Sequence, residues 1–394
     1  MIRLRCYYLE KTLNIKYVVV GKDYEIKENI NLTLDIEKGL IANIGFSRRG
    51  FTEKPLNINA IAIPSPINAH IHSADFIFSG SGLKLSIEEL VKPPHGLKHR
   101  LLRETASKDI AKSITYTLKY LKSTGVSAAA DFREEGIKGV KLALKALKKV
   151  PFRHIILGRP VKGYSEKNVK TLLRLCHGIG LSSTLPFKPS FLNMLNKLAK
   201  EENKLLAAHV AETRKSFEKG DLEYTLKHYK PDFIVHGTHL GSEEFSILAE
   251  KKIPLVLCPR ANTFFGVGTP KIAEALKSNV IISLGTDNAG WILPNIWREV
   301  EYAFNLTKMQ NRSIAEPKLF LKMITYNAAK TLKLENEGFI DEGMKANITF
   351  LKTSPNIVCS KNMLASIILR TDRKDVLELL IYSKPQIGKY LMKW

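Results

Sequence analysis

The sequence predicts an α/β fold, a (β/α)₈ TIM barrel with a small composite β-sandwich domain formed by both termini. Between about residues 60 and 335, eight short apolar or β-branched segments alternate with longer amphipathic segments, which is typical of repeated βα units. Both ends of the chain instead carry strand-like segments only. A (β/α)₈ barrel usually takes about 250 residues, which agrees with the length of the alternating region.

The predicted elements of the barrel follow one another in regular order. The eight strands are predicted over residues 61–72, 126–132, 153–161, 180–185, 205–212, 232–240, 253–259 and 280–287. The helices between them include residues 108–124, 137–149, 190–203, 221–229, 241–252 and 270–277. Because helices connect successive strands, the strands of the barrel are expected to run parallel.

Strand-like segments flank the barrel on both sides. They cover residues 16–20, 30–36 and 39–44 before it, and residues 347–351 and 365–369 after it. We therefore assign residues 61–344 to the barrel. Residues 1–60 and 345–394 are assigned together to the composite β-sandwich.

Charge and cysteine content restrict the environment and the partners. The chain has 394 residues and a formal net charge of +23, but this charge is spread along helical faces, as at Lys145, Lys148 and Lys149. Dedicated nucleic-acid binders concentrate their charge on one patch, so the pattern argues against such a partner. The four cysteines form no C-x-x-C pair, and no segment approaches the roughly 18 apolar residues of a membrane span. We expect a cytoplasmic protein without a membrane anchor. The sequence allows a homo-oligomer as well as a monomer.

Two histidines at the end of the first barrel strand form the strongest local motif. His70 and His72 follow Pro64-Ser65-Pro66-Ile67-Asn68-Ala69, and residues two apart in a strand point to the same side. Two convergent imidazoles suit a divalent metal. Taken alone, a pair of this kind is more often two polar residues at a strand end than a metal site.

Further candidate ligands stand at the ends of later strands. His209 ends the fifth strand, His236 the sixth, and Asp287 the eighth. Active sites of (β/α)₈ barrels lie at the carboxyl ends of the strands, so these side chains are expected to face one mouth. His239 lies three residues after His236, and this odd offset favours a structural role.

These residues together resemble the amidohydrolase superfamily, and more narrowly its metal-dependent deaminase and chlorohydrolase branch, which contains cytosine, guanine and S-adenosylhomocysteine deaminases. The main matching motifs are His70-x-His72, His209-x-x-Glu212, His236 and Leu284-Gly285-Thr286-Asp287. Supporting matches are Cys258-Pro259-Arg260-Ala261-Asn262 and the segment that begins at Thr325.

The resemblance implies one divalent metal, Zn²⁺ or Fe²⁺, held by His70, His72, His209 and Asp287. Relatives with two metals often use a carbamylated lysine on the fourth strand, which has no lysine here. The resemblance also implies that Glu212 transfers protons as a general acid and base, with Asp287 assisting. His236 would orient the attacking water or stabilise the addition intermediate.

The expected reaction is hydrolytic deamination of an amino-bearing heterocycle or a related amidine compound, a small molecule. Three alternatives stay open. One is hydrolysis of a cyclic amide or imidazolone, and another is removal of chloride or an alkylamine from a ring. The third is an inactive barrel that acts as a binding or nucleic-acid-associated protein, although an intact Glu212 argues against it.

Candidate substrate contacts come from the loops after the strands. Glu88 and Glu89 lie in a segment that resembles an acidic segment of adenosine-type deaminases, where a carboxylate contacts the ribose. Arg159 ends the third strand, and Asn288 follows Asp287. The segment of residues 92–100 is rich in Lys, Arg and His. It could bind an anionic group together with Arg159, or it could form a solvated loop.

Overall fold

The computed structural model describes residues 10–45, 55–161 and 163–380. Its strands are β1 (Glu10–Val20), β2 (Glu25–Asp35), β3 (Leu40–Ile44), β4 (Leu56–Pro64), β5 (Ile67–His72), β6 (Ala128–Arg133), β7 (Arg153–Gly158), β8 (Gly178–Leu181), β9 (Leu205–Val210), β10 (Phe233–His236), β11 (Leu255–Leu257), β12 (Ile282–Leu284), β13 (Asp287–Asn288), β14 (Ile348–Lys352) and β15 (Val376–Leu380).

The α-helices are α1 (Ile87–Val91), α2 (Leu97–Glu104), α3 (Ser107–Ser123), α4 (Gly136–Leu147), α5 (Glu166–Leu175), α6 (Pro189–Glu201), α7 (Arg214–Glu218), α8 (Asp221–His228), α9 (Ser242–Glu250), α10 (Pro259–Phe264), α11 (Ile272–Lys277), α12 (Ile296–Gln310), α13 (Pro317–Met323), α14 (Tyr326–Thr331), α15 (Pro355–Val358) and α16 (Met363–Arg370). Short 3₁₀ helices cover Ser73–Phe78, Arg312–Ile314 and Arg373–Asp375. Among the described residues, no helix is both long and apolar enough to cross a membrane.

The barrel consists of parallel strands in sequence order. Strands β5 to β12 lie side by side, and each pairs in parallel with the next. Strand β13 follows β12 after two residues and pairs with β5, where Asp287 lies opposite Ile71. The strand order thus returns to its start, which confirms the predicted (β/α)₈ barrel.

The barrel helices are amphipathic, as their sequences predict. Helix α6 begins with a proline in its first turn and buries Leu192, Leu195 and Leu198, while Lys197 and Lys200 are exposed. Lys145, Lys148 and Lys149 are also exposed at the end of α4 and just beyond it. These lysines therefore belong to solvated helix faces, as predicted.

Both ends of the chain contribute to a second sheet. Among the described residues this sheet has six strands in the order β15-β14-β4-β1-β2-β3, with β1 and β4 parallel and the other pairs antiparallel. This confirms a composite β unit built from both ends of the chain, which takes the form of one mixed sheet. Residues 1–9, 46–54 and 381–394 of the ranges predicted for it lie outside the described residues.

Two predicted elements are wrong in detail. Residues 61–72 form two strands in different sheets, because Pro64 and Pro66 lack the N–H groups that a continuous ladder needs. The chain passes between the sheets at Ser65, whose N–H donates to the Asn347 carbonyl. Residues 365–369, predicted as a strand, lie in helix α16, because a short apolar run does not distinguish a strand from a buried helix. Asn362 caps this helix by accepting from the Ala365 N–H at 2.9 Å.

The interior of the barrel is filled by side chains that alternate along its strands, and this cluster ends in Phe132 beneath the histidines. The Phe132 ring centroid lies 4.4 Å from that of His70 and 5.1 Å from that of His209, with both pairs close to perpendicular. Such edge contacts are the arrangement that aromatic rings favour. Phe132 therefore forms an apolar floor under the candidate site.

Candidate metal centre and active site

Four histidines converge at the carboxyl ends of the barrel strands. His70 and His72 belong to β5, His209 to β9 and His236 to β10. The ring centroid of His70 lies 4.9 Å from that of His72 and 4.8 Å from that of His209. The His236 ring centroid is 4.9 Å from that of His209. The structure therefore brings together all four histidines that the sequence singles out at strand ends.

Asp287 completes this cluster from β13. Its Oδ1 atom lies 3.2 Å from Nε2 of His70 and 3.4 Å from Nε2 of His72. One ligand atom from each of His70, His209, His236 and Asp287 lies within 4.8 Å of the others. His236 thus belongs to one group of candidate donors with His70, His209 and Asp287, whereas His72, which the resemblance assigns as a ligand, falls in a neighbouring group with Asp75 and Glu134.

In three of the four imidazoles, a hydrogen bond at Nδ1 determines which ring nitrogen is protonated. Nδ1 of His209 lies 2.8 Å from the Leu181 carbonyl, and Nδ1 of His72 lies 3.1 Å from the Phe132 carbonyl. Nδ1 of His236 lies 2.9 Å from the side-chain oxygen of Asn262. Because carbonyl oxygens only accept, each Nδ1 carries a proton, and in the neutral form of the ring Nε2 then keeps a free lone pair.

The donor set fits a divalent cation. Nε2 of His236 and Nδ1 of His70 are buried and have no hydrogen-bond partner among the described residues. Burial lowers the pKa of His70 to about 3 and holds the pKa of His209 well below its ordinary value, so both imidazoles are neutral. Burial would raise the pKa of Asp287, but its hydrogen bond to His70 and the nearby histidines lower it. Neutral imidazoles beside an ionised carboxylate are what a cation such as Zn²⁺ or Fe²⁺ binds.

The motifs around Asn68 and Gly285 bring the first and last strands together. Nδ2 of Asn68 donates to Oγ1 of Thr286 at 2.7 Å, and the Thr286 N–H donates back to Oδ1 of Asn68 at 3.1 Å. A Cβ atom on Gly285 would lie 2.6 Å from Cβ of His70, so only glycine permits this approach. These contacts place Asp287 beside His70.

Glu212 lies two residues beyond the end of β9, next to the cluster. Its Oε1 atom is 3.7 Å from Nε2 of His236, and its side chain is 22% exposed. Burial raises the pKa of this carboxyl, although the nearby His236 opposes the rise. A carboxyl group with a raised pKa at the edge of a cavity suits proton transfer near neutral pH.

Three residues at the strand ends of this site have left-handed backbone conformations. Ala211 has φ of 48°, His236 of 76° and Asp287 of 58°. Residues other than glycine rarely adopt such angles, which cost of order 1–3 kcal/mol each and cluster at functional sites. The strained backbone positions are therefore His236 and Asp287 themselves and Ala211, the residue before Glu212.

A cavity of about 790 Å³ opens above the cluster. His72, His209, Glu212 and Asp287 line its base. Much of its wall comes from residues 87–104, which comprise α1, α2 and the residues between them and which we call the cover segment. Ligand pockets typically measure about 300–1,000 Å³, so this cavity has the size of a small-molecule site.

The predicted substrate contacts occupy different environments. Glu88 and Arg159 line the cavity, and Glu88 also pairs with Lys92 at 3.0 Å. Asn288 lines it as well, but its amide donates to Asp75 at 2.8 Å and its oxygen accepts from Gly290.

Glu89 does not contribute to the cavity wall among the described residues. Its Oε2 atom accepts hydrogen bonds from the N–H and hydroxyl of Ser86 in a capping box at the start of α1. His239 lies outside the histidine cluster, with Nε2 2.8 Å from the Val267 carbonyl.

A buried charge cluster beside His72 escaped the sequence analysis. Nζ of Lys98 lies 2.7 Å from both Asp75 and Glu134. Oε1 of Glu134 lies 2.7 Å from Nδ1 of His72. A sequence signal existed, because Glu134 follows the second predicted strand at the same end of the barrel as the histidines, and Lys98 belongs to the basic segment 92–100.

Comparisons with known proteins agree with this geometry. A family model described as "Amidohydrolase family" matches residues 61–384. An uncharacterized protein of Methanocaldococcus jannaschii is 38% identical over 377 residues, which cover 91% of this chain and 94% of the relative. A putative aminohydrolase of Methanothermobacter thermautotrophicus is 28% identical over 365 residues, covering 89% and 93%.

More distant similarities extend to named deaminases. A 5-methylthioadenosine/S-adenosylhomocysteine deaminase of Thermococcus sibiricus is 25% identical over 397 residues, covering 93% of this chain and 92% of the relative. The solved structure of an adenosine deaminase from Xanthomonas campestris with bound zinc has a TM-score of 0.79 at 16% identity, covering 94% and 91%, and supports the fold. Because the family model matches most of the sequence, the chain belongs to the amidohydrolase family.

Proposed function

We propose that the protein is a metal-dependent aminohydrolase that releases ammonia from an amino-bearing heterocycle or a related amidine compound. The observation that carries this proposal is the group formed by His70, His209, His236 and Asp287, whose ligand atoms lie within 4.8 Å of one another beneath a cavity. The similarity to a putative aminohydrolase and to named deaminases supports the same reaction class.

We assign His70, His72, His209 and Asp287 as ligands of one divalent cation, Zn²⁺ or Fe²⁺. Imidazole and carboxylate donors suit either ion, and Zn²⁺ has a precedent in the related adenosine deaminase structure. When bound, such a cation supplies Lewis-acid chemistry and lowers the pKa of water from 15.7 to about 7.

Glu212 is the proposed proton carrier. Its carboxylate would accept a proton from the attacking water and deliver it to the departing nitrogen, which thereby leaves as ammonia. Its position at the base of the cavity, 3.7 Å from Nε2 of His236, supports this role. Asp287, whose pKa is lowered, stays ionised and would hold the water by accepting a second hydrogen bond.

His236 is proposed to orient the attacking water. Because Asn262 accepts from Nδ1, the free Nε2 lone pair can accept a hydrogen bond from water. Asn262 is fixed in turn, since its Nδ2 donates to Thr238 at 2.7 Å. The imidazole therefore presents an acceptor in a defined direction.

Substrate contacts are proposed for Glu88 and Arg159, which line the cavity wall from the cover segment and from the residue after β7. Within the part of the chain that the structure describes, the buried Nε atom of Arg159 has no hydrogen-bond partner, so an anionic or carbonyl group of a substrate could accept a hydrogen bond from it. Both side-chain polar atoms of Asn288 and the Oε2 atom of Glu89 already form hydrogen bonds within the protein, and we propose that these two residues support the wall.

Ammonia release tests the proposal. The metal-loaded protein is incubated with purines, pyrimidines, pterins and guanidino compounds, with Glu212→Gln as the matched inactive control. We expect ammonia from at least one amino-bearing ring with the wild type alone. Turnover of a lactam, a chlorinated ring or an alkylamino ring without ammonia release would instead favour the alternative hydrolyses. Absence of turnover with every class would contradict an enzymatic function.

A further inference from the structure

Lys98 and Glu134 form a buried ion pair beside the metal centre. Nζ of Lys98 lies 2.7 Å from Oε1 of Glu134 and 2.7 Å from Oδ2 of Asp75. The side chains of Lys98, Asp75 and Glu134 are 4%, 0% and 2% exposed. Charges this deeply buried are costly unless they are paired, so each member depends on the others for its position.

The same carboxylate contacts His72. Oε1 of Glu134 lies 2.7 Å from Nδ1 of His72, whose single N–H also faces the Phe132 carbonyl at 3.1 Å, while Oε2 of Glu134 accepts from the guanidinium of Arg133. A carboxylate on the far nitrogen of a ligating imidazole fixes the ring and makes the opposite nitrogen a stronger donor. Nε2 of His72 is the nitrogen that faces Asp287, at 3.4 Å.

Lys98 comes from the cover segment and not from the barrel. It lies in α2, in the segment that also supplies Glu88, Lys92 and His99 to the cavity wall. A second chain of contacts starts at the same ammonium group, because Asp75 accepts from Nδ2 of Asn288, the residue after Asp287. The Lys98 side chain is therefore linked through Glu134 to His72 and through Asp75 to Asn288, the residue that follows Asp287.

We propose that Glu134 and Lys98 are positioning residues for His72, and that Lys98 makes metal retention depend on the docked cover segment. Lys98 holds the Glu134 carboxylate against Nδ1 of His72. Without this ammonium group, Glu134 turns toward the remaining cations Arg133 and Arg159, the latter 3.8 Å away. This inference rests on the proposed role of His72 as a ligand.

The test measures metal retention without reference to activity. Zn²⁺-loaded variants are mixed with a chromogenic chelator, and Co²⁺-loaded variants are compared by visible absorption. For Glu134→Gln and Lys98→Met, we expect metal affinity about 10–100-fold weaker than in the wild type and an altered Co²⁺ spectrum. Lys98→Arg should recover most of the affinity because it restores the positive charge.

Glu337→Gln is the matched control. Glu337 is a buried carboxylate that pairs with Arg153 and accepts from Asn347 at 2.9 Å, outside the metal cluster. Its substitution is expected to lower stability while leaving metal affinity unchanged. Equal effects of Glu337→Gln and Glu134→Gln on metal affinity would overturn the proposal, because the effect would then be one of general stability.

His72→Ala separates this inference from the proposed function. If His72→Ala weakens metal binding while Glu134→Gln and Lys98→Met retain wild-type affinity and spectrum, the positioning role is wrong and the ligand assignment stands. If His72→Ala itself keeps wild-type affinity, the ligand assignment is wrong. Should Glu134→Gln not fold, Lys98→Met and Lys98→Arg give the same comparison.

Discussion

Asn68 and Thr286 are joined by two hydrogen bonds, one from the Asn68 amide to the Thr286 hydroxyl and one from the Thr286 N–H to the Asn68 oxygen. Both residues are fully buried. Asn68 lies in the first barrel strand, and Thr286 lies between the last two strand segments. This pair therefore closes the barrel at the point where His70 and Asp287 meet.

Asn68→Ala should destabilise the protein and loosen the metal centre. The substitution leaves the buried Thr286 N–H without its partner, which costs about 1–3 kcal/mol. Urea unfolding of the metal-free protein measures this loss. Asn14→Ala, which removes a partly buried pair with Asn31 in the terminal sheet, serves as the control for metal affinity. Unchanged stability and unchanged metal affinity in Asn68→Ala would contradict this role.

Gly285→Ala should separate the first and last strands. The added methyl group would lie 2.6 Å from Cβ and 2.7 Å from N of His70, so the backbone must shift. Overpacking of this kind typically costs about 1–3 kcal/mol, and we expect weaker metal binding with it. At Gly241 an added methyl group would have its nearest neighbour at 3.4 Å, so Gly241→Ala is the control. Equal metal affinity of the two variants would argue against the proposed constraint.

Glu212→Gln should retain the metal and lose most turnover. The amide keeps the size of the side chain but cannot carry a proton, and general acid-base groups typically contribute about 10²–10⁴-fold. Steady-state ammonia release and elemental analysis give both quantities. Glu218→Gln changes an exposed carboxylate nearby in sequence and should keep wild-type activity. Full activity of Glu212→Gln would remove Glu212 from the mechanism.

The stability of the protein should depend on His99 at acidic pH. Burial, aided by the neighbouring charge of Lys98, lowers the pKa of His99 to about 3, against about 6.5 for an unperturbed histidine. The unfolded chain therefore binds the additional proton first, so this contribution is complete above pH 6.5 and is lost as the pH falls toward 3.

His99→Gln tests this contribution, because glutamine does not titrate and can still donate to the Val91 carbonyl, which lies 3.1 Å from Nε2 of His99. The free energy of unfolding, measured with urea at several pH values between 4 and 7, should fall less steeply with decreasing pH in the variant than in the wild type. Identical slopes in the variant and the wild type would show that His99 already titrates normally in the folded protein.

The barrel and the gathering of the site residues could be predicted from the sequence because both follow from periodicity. Strand ends in parallel βα units meet at one edge, which brought His209 to His70 across more than one hundred positions. Predictions failed where a local pattern fits two structures, as in residues 365–369 and at the boundary between β4 and β5.

The contact between Lys98 and Glu134 could not be predicted, because it depends on the path of a long loop. The sequence places Glu134 near a strand end and Lys98 in a basic segment, but no periodic pattern fixes how the cover segment folds over the barrel and therefore which partner Lys98 meets. Glu89 is a different case, because Ser86-x-x-Glu89 is a local capping-box pattern that the sequence already contains and that accounts for the position of this carboxylate.

Metal content tests the central claim most directly. Wild-type protein and His70→Ala are loaded with Zn²⁺ or Fe²⁺, dialysed and measured by elemental analysis, with His239→Ala as the histidine control outside the cluster. We predict about one metal ion per chain in the wild type and in His239→Ala, and strong depletion in His70→Ala. A wild type that binds no metal, or a His70→Ala variant that retains it fully, would contradict the account.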